Sequence, residues 1–139
     1  MTKAYEELGI VTTAYYNPTI AESYKELYDE AFNKDIFIKN ASGQVAKFLY
    51  KGAGPIPFLV SMLDYSNPAT QPFWEKVISQ SIDLGFRGWM QDYGEYVDPY
   101  QIFYNGWNGE EMHNEYVNLY HLATYNYFKK LDPDKFAKG

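Results

Sequence analysis

Apolar positions in this chain recur with two different periods, and the points where the period changes mark out its elements. Residues 8–16, LGIVTTAYY, are dense in β-branched and aromatic side chains and predict a buried strand. Asn17 then stands as a helix cap with Pro18 at the first helical position, where a missing N–H costs nothing. Ile20, Tyr24, Leu27, Tyr28 and Ala31 follow at helical spacing and predict one apolar face running to about Asn33. Residues 36–38 and 45–50 flank Asn40-Ala41-Ser42-Gly43 and predict a hairpin-like insertion over about 36–56, broken by Gly52-Ala53-Gly54-Pro55. A second strand over 58–63 stops at an acid, Asp64, and Ser66-Asn67-Pro68 repeats the cap-plus-proline signal. The helix after it carries Phe73, Trp74, Val77, Ile78 and Leu84, with Gly85 as its C-terminal cap. A third strand, 86–91, also stops at an acid, Asp92, and opens a loop over about 92–108. Asn108 caps a final helix with Glu110 and Glu111 in its first turn and Met112, Tyr116, Leu119, Tyr120, Ala123 and Tyr127 as its buried stripe. Lys129, Lys130 and Pro133 end it.

Strand and helix alternating three times imply βαβ units around a parallel sheet, an α/β fold. A complete (β/α)8 barrel needs roughly 200 residues or more. With 139 residues, the chain holds about three βα units of such a TIM barrel, read as one partial catalytic-barrel segment over 1–139. A sheet of that kind exposes strand edges and an apolar face. The partner it implies is the remainder of a barrel or another copy of the chain.

Composition narrows the function. The chain is 46% hydrophobic and 19% aromatic, which excludes a disordered linker, and 15 tyrosines offer flat apolar faces with polar tips. A net charge of −6 without a basic stripe argues against nucleic acid. The absence of cysteine removes disulfide scaffolds and thiolate metal sites. No apolar run approaches the ~18 residues of a membrane span, and MTKAYEELG lacks an apolar signal core, so no membrane contact is expected and localisation stays open. Asn40-Ala41-Ser42 fits a glycosylation sequon, relevant only in a secretory pathway. His113 and His121 stand two turns apart on one helix, too far for a shared metal. No cofactor is implied.

The sharpest chemistry lies in GFRGWMQDYGEYVDP, residues 85–99. A strand that releases a carboxylate, Asp92, into an aromatic loop presents a reactive group on a rigid element at the mouth of a cleft. Glu95 follows at once. One reading makes Asp92 a nucleophile with Glu95 supporting it. The other makes both ordinary loop carboxylates, with Asp92 bonded to turn amides and Glu95 paired with Arg87 or solvated. Asp64 ends its strand in the same way. Trp89 reads as strand core and Trp107 as a loop anchor.

GWMQDYGEY resembles the nucleophile segment of family 31 glycoside hydrolases, an apolar strand followed by Asp, an aromatic or other residue, Gly or Asn, and Glu. LDYSNPATQPFW is similar to the family's Asp-aromatic-Thr-Asn-Pro segment, with Ser66 in place of Thr. ELGIVTTAYYNP and NGWNGEEMHNEYVNLYHLATYNYF resemble the preceding barrel strand and the helix after the nucleophile loop, so the resemblance covers nearly the whole chain. The GWM-x-D-aromatic-GEY form is similar to that of the branch with sulfoquinovosidases and α-glucosyltransferases. The resemblance implies a retaining α-glycosidase or transglycosylase on a TIM barrel, acting on an α-linked oligosaccharide or glycoside. Carried over by position, Asp92 matches the nucleophile and Glu95 its supporting acid. Met90 falls where relatives place a substrate-side residue. Tyr50 lies near a position where they carry a sugar-stacking aromatic and reads equally as a hairpin core residue, and Trp89 is counted with them on the substrate side. A retaining mechanism also needs a carboxylic acid ~5–5.5 Å from the nucleophile. Asp98, Glu110 and Glu111 do not match it, so the expectation is an internal fragment whose acid/base lies downstream of Gly139, with little activity alone. The alternative from another class is a non-catalytic carbohydrate-binding or interaction module.

Overall fold

The strands that frame Asp92 lie far apart along the chain. The structure, a computed structural model, describes residues 2–51, 54 and 56–131. Strand β1, Thr13–Tyr16, pairs in parallel with β5, Gly88–Gln91, in the register Thr13 to Gly88, Ala14 to Trp89, Tyr15 to Met90 and Tyr16 to Gln91. Parallel partners in register share a face of the sheet. The crossover between them includes α3, Thr70–Asp83, which ends at Gly85 with φ of +90°. The Gly85 and Phe86 amides bond back to Ile82 and Ser81 carbonyls, at 2.9 and 3.0 Å, closing the last turn before β5 begins.

Asn17-Pro18 does not start a helix. Asn17 Oδ1 instead accepts from Thr19 N and Thr19 Oγ1, at 3.2 and 2.5 Å, while the Pro18 carbonyl accepts Leu63 N at 2.9 Å. The chain runs on as β2, Thr19–Ala21, antiparallel to β4, Phe58–Met62. The helical pattern begins only at α2, Lys25–Asn33, where Tyr28 and Ala31 are buried. Ile20 is buried from a strand and Tyr24 lies exposed at the helix start. A neighbouring strand with open backbone groups overrode the local cap signal.

The second predicted strand is likewise drawn out of a single parallel sheet. β4 is the centre of an antiparallel sheet in the order β2-β4-β3, with β3 at Phe48–Tyr50. The insertion turns as a hairpin at Asn40, with Ala46 N bonded to Ile38 O at 2.9 Å and Asn40 N to Gln44 O at 2.7 Å. Beyond that turn its returning arm pairs with β4. The outgoing arm, with Ile36, Phe37 and Ile38 buried, bonds to the end of the same strand, Ile38 N to Met62 O at 3.1 Å and Asp64 N to Ile36 O at 2.8 Å. The strand over 8–16 shortens to β1, leaving Leu8, Ile10 and Val11 exposed, and a helix unforeseen in the sequence, α1 at Thr2–Glu7, precedes it. Leu84, expected on the buried face of α3, is exposed. Gly52, Ala53 and Pro55 of the predicted break, and Pro133 of the predicted helix end, lie outside the described residues.

The final helix, α4 at Gly109–Leu131, starts where the sequence places it. Asn108 N donates to Glu111 Oε2 at 2.9 Å and Glu111 N to Asn108 Oδ1 at 3.0 Å, a reciprocal cap. It packs on α3 through Trp74, whose Nε1 donates to Thr124 Oγ1 at 2.8 Å, and through Gln71 Nε2 to the Ala123 carbonyl at 3.0 Å. Tyr65 fills the space between, its ring 5.2 to 5.8 Å from those of Trp74, Tyr116 and Tyr120. Phe37, Phe73 and Ile78 are at most 2% exposed, each burial stabilising by ~1.5–3 kcal/mol against full exposure.

Candidate active site at the end of β5

Strand alternation divides β1 and β5 cleanly. Ala14, Tyr16 and Trp89 face the helices, with the Tyr16 ring 5.6 Å from Trp74 and the Trp89 ring 4.2 Å from Phe128. Tyr15 and Met90, paired in register, are 52% and 56% exposed on the other face. That alternation carries Asp92 onto the same face as Met90. The sequence-predicted Met90 therefore stands beside Asp92, whereas Trp89 is built into the helix layer.

Asp92 is half-buried and fixed from several directions. Its N–H donates to the Tyr16 carbonyl at 2.9 Å, extending the parallel ladder by one residue. Tyr15 Oη donates to Oδ2 at 2.8 Å and Tyr93 N to Oδ1 at 3.1 Å. Desolvation, then the hydrogen bond and charge of Asp92, push the Tyr15 phenol well above the ordinary tyrosine range, so it remains a donor. Nothing in the sequence marked Tyr15. Its role appears only once the parallel register sets it beside Met90.

The chain reverses immediately after the carboxylate. Tyr93 has φ of +65°, a left-handed conformation that a bulky residue adopts only when its surroundings hold it, and such residues cluster at functional sites. Its ring lies 5.5 Å from Tyr50 at 78° and 5.4 Å from Tyr96 at 35°. Tyr50, predicted on the substrate side, thus reaches the Asp92 loop from the end of β3. Its phenol is pushed up to about 12, first by its hydrogen-bonding contact with Tyr93, then by desolvation. Gly94 lies against α4, and a Cβ there would come within 3.0 Å of Val117 Cγ2 and 3.4 Å of Val117 Cα.

Glu95 is exposed on the wall of a neighbouring cavity. Arg87, considered as its partner, lies 3.9 Å from Glu6 instead. Asp64 is buried as a turn anchor. Oδ1 accepts Ser66 N and Oγ at 2.9 and 2.6 Å, and Oδ2 accepts Tyr104 N at 2.7 Å across 40 residues. Burial raises its carboxyl pKa while these hydrogen bonds oppose the shift. Asp64 therefore secures the far limb of the Asp92 loop. His113 and His121 are both exposed, and among the described residues no group of three His, Cys, Asp or Glu is placed to hold a metal. No helix among them is long and apolar enough to cross a membrane.

Comparison with known proteins agrees with this architecture. The model of the glycosyl hydrolases family 31 TIM-barrel domain matches residues 1–137. A sulfoquinovosidase of Escherichia coli is 33% identical over 88% of this chain and 17% of its own length. An α-xylosidase of Lactiplantibacillus pentosus is 25% identical over 90% and 16%. Among solved structures, a family 31 sulfoquinovosidase from E. rectale in complex with an aza-sugar inhibitor has a TM-score of 0.78 at 27% identity, covering 93% of this chain and 19% of that one. A family 31 dextranase from Flavobacterium johnsoniae, complexed with glucose, shares the fold with a TM-score of 0.84 at 18% identity, covering 95% and 17%. The chain spans about a sixth of the length of the curated relatives it matches. From its first strand to its last helix, the chain belongs to glycoside hydrolase family 31 and is part of that family's TIM-barrel domain.

Proposed function

We propose that this chain supplies the nucleophile side of a retaining α-glycosidase or transglycosylase site, with Asp92 as the nucleophile. The observation that carries the reading is the seating of Asp92 at the end of a parallel strand. It is oriented by Tyr15 at 2.8 Å and followed by the left-handed Tyr93. An Asp92 oxygen attacks the anomeric carbon, the C1–Oδ bond forms, and the bond from C1 to the leaving group breaks. Met90 and Tyr50 flank the sugar, Trp89 supports β5 from behind, and Glu95 is assigned its supporting role by resemblance alone.

A leaving alkoxide must also receive a proton. No acid of this chain is assigned that role, and natural α-glycosides are accordingly expected to turn over little with this chain alone. An α-glycosyl fluoride leaves as fluoride and needs far less acid assistance. The test is to incubate the folded chain with such a fluoride carrying a second ring fluorine to slow deglycosylation, then map the adduct by peptide mass. The expected result is one glycosyl group on the peptide containing Asp92 and none on Asp92→Asn. An adduct on another residue, or none on a sample shown to be folded, overturns the assignment.

A further inference from the structure

Between the hairpin tip and residues 95–101 lies a cavity of about 750 Å3. Its two walls are tied together, Lys39 N donating to Ile102 O at 3.1 Å and Ile102 N to Lys39 O at 2.9 Å. Asn40 Oδ1 accepts Ser42 N and Gln44 N, both at 3.0 Å, which sets the tip of one wall. The other wall carries aromatic rings out to solvent. Tyr96 stacks on Phe48 with centroids 6.3 Å apart and planes 15° apart, and Tyr100 stands 79% exposed. The same loop goes on to Tyr104 and Trp107, both exposed. Exposed rings grouped around a preformed hollow are the mark of a surface that meets another protein, where tyrosine and arginine are the favoured anchors.

Charge and one buried amide narrow the occupant. Lys47 lines the cavity but is held by Glu22 Oε1 at 2.7 Å, so its charge is already answered. Glu95 and Asp98 line the same space, and neither is in an ion pair with a described residue. Two carboxylates beside an open tyrosine ring suit a guanidinium, which takes a carboxylate in two-pronged fashion and lies flat on an aromatic face. Gln101 adds a second requirement. It lines the cavity yet is only 8% exposed, and its Oε1 accepts Asp98 N at 3.1 Å. That bond fixes which end of the amide is oxygen, and Nε2 donates to no described residue. A donor so placed calls for an acceptor. The ligand therefore offers a cation with a carbonyl close by. A simple amine lacks the carbonyl, and free arginine brings a carboxylate that Glu95 and Asp98 repel. Arginine within a peptide has the cation and a neutral carbonyl.

We infer that this cavity docks an arginine of a partner protein, its guanidinium held by Glu95, Asp98 and the Tyr100 ring and its backbone carbonyl by Gln101. Amide NMR of the chain, titrated with Nα-acetyl-arginine N-methylamide, tests it. Resonances of residues 40–48 and 95–101 should shift. The citrulline counterpart, of the same shape without the charge, should bind at least about fivefold more weakly. Butylguanidine, which keeps the cation and lacks the carbonyl, should bind at least about twofold more weakly. Glu95→Gln combined with Asp98→Asn changes only exposed side chains and leaves an acceptor for Tyr100 N. In that variant arginine and citrulline should bind within about twofold of each other. Tyr100→Ala should weaken the arginine compound at least about twofold. Equal binding of arginine and citrulline by the parent chain, butylguanidine or isomaltotriose binding as tightly, shifts confined to other residues, or none at all overturn the docking site. Binding is read here without turnover or labelling, so the outcome is separate from the role of Asp92.

Discussion

Tyr15 Oη donates to Asp92 Oδ2 at 2.8 Å across two parallel strands drawn from sequence positions 77 residues apart. A hydrogen bond to a charged acceptor contributes ~1.5–3 kcal/mol, less where water competes, as it does at a half-exposed phenol. Tyr15→Phe keeps the ring and removes only the donor. We expect adduct formation at Asp92 to slow about tenfold, while the thermal midpoint barely changes because no buried group is left unpaired. Equal labelling rates for the two proteins would show that the contact does not orient the carboxylate.

Gly109 begins α4 against the backbone of Asp98 and Pro99. A Cβ there would stand 1.8 Å from the Asp98 carbonyl oxygen and 2.7 Å from its carbon. Alanine in a helix normally gains up to ~1 kcal/mol over glycine. Here the clash is with backbone, which cannot swing aside, and overpacking costs of ~1–3 kcal/mol or more win. Gly109→Ala is expected to lower the denaturant midpoint and to perturb residues 98–101. A variant as stable as the parent contradicts this packing.

Three tyrosines set an alkaline limit. Desolvation holds the phenols of Tyr65 and Tyr116 well above the ordinary tyrosine value, and that of Tyr120 above it as well. A folded pKa above the unfolded value of ~10 gives stability that is complete below pH ~10 and is lost as pH rises beyond it. Ultraviolet titration should therefore show these three ionising together with unfolding. Their ionisation in a still-folded protein would mean that water reaches this cluster.

Elements with one dominant local cause were legible in the sequence. The Asn108 cap, the stripe of α4, the Gly85 stop and the strand ending at Asp92 all stand where pattern and propensity put them. The failures share a cause of another kind. Asn17-Pro18 carries a sound helix signal, but Leu63 N takes the Pro18 carbonyl and β4 takes Thr19–Ala21, partners that lie some 40 residues away. The site shows the same division. Asp92 was marked out as a candidate by its own neighbours, and Tyr50 by resemblance. Tyr15 depends on strand register, which no local pattern encodes, and the left-handed turn at Tyr93 falls on a residue that ordinarily avoids it.

The seat of Gly94 on Val117 makes α4 a lever with the Asp92 loop at one end. Its other end is tethered to α3 by Thr124 on Trp74 and by Lys130 on Glu75. The loop that follows the carboxylate thus rests on a helix that is itself bolted to a second one. Substitutions in that distant seam would reach the Asp92 loop without touching any of its own residues.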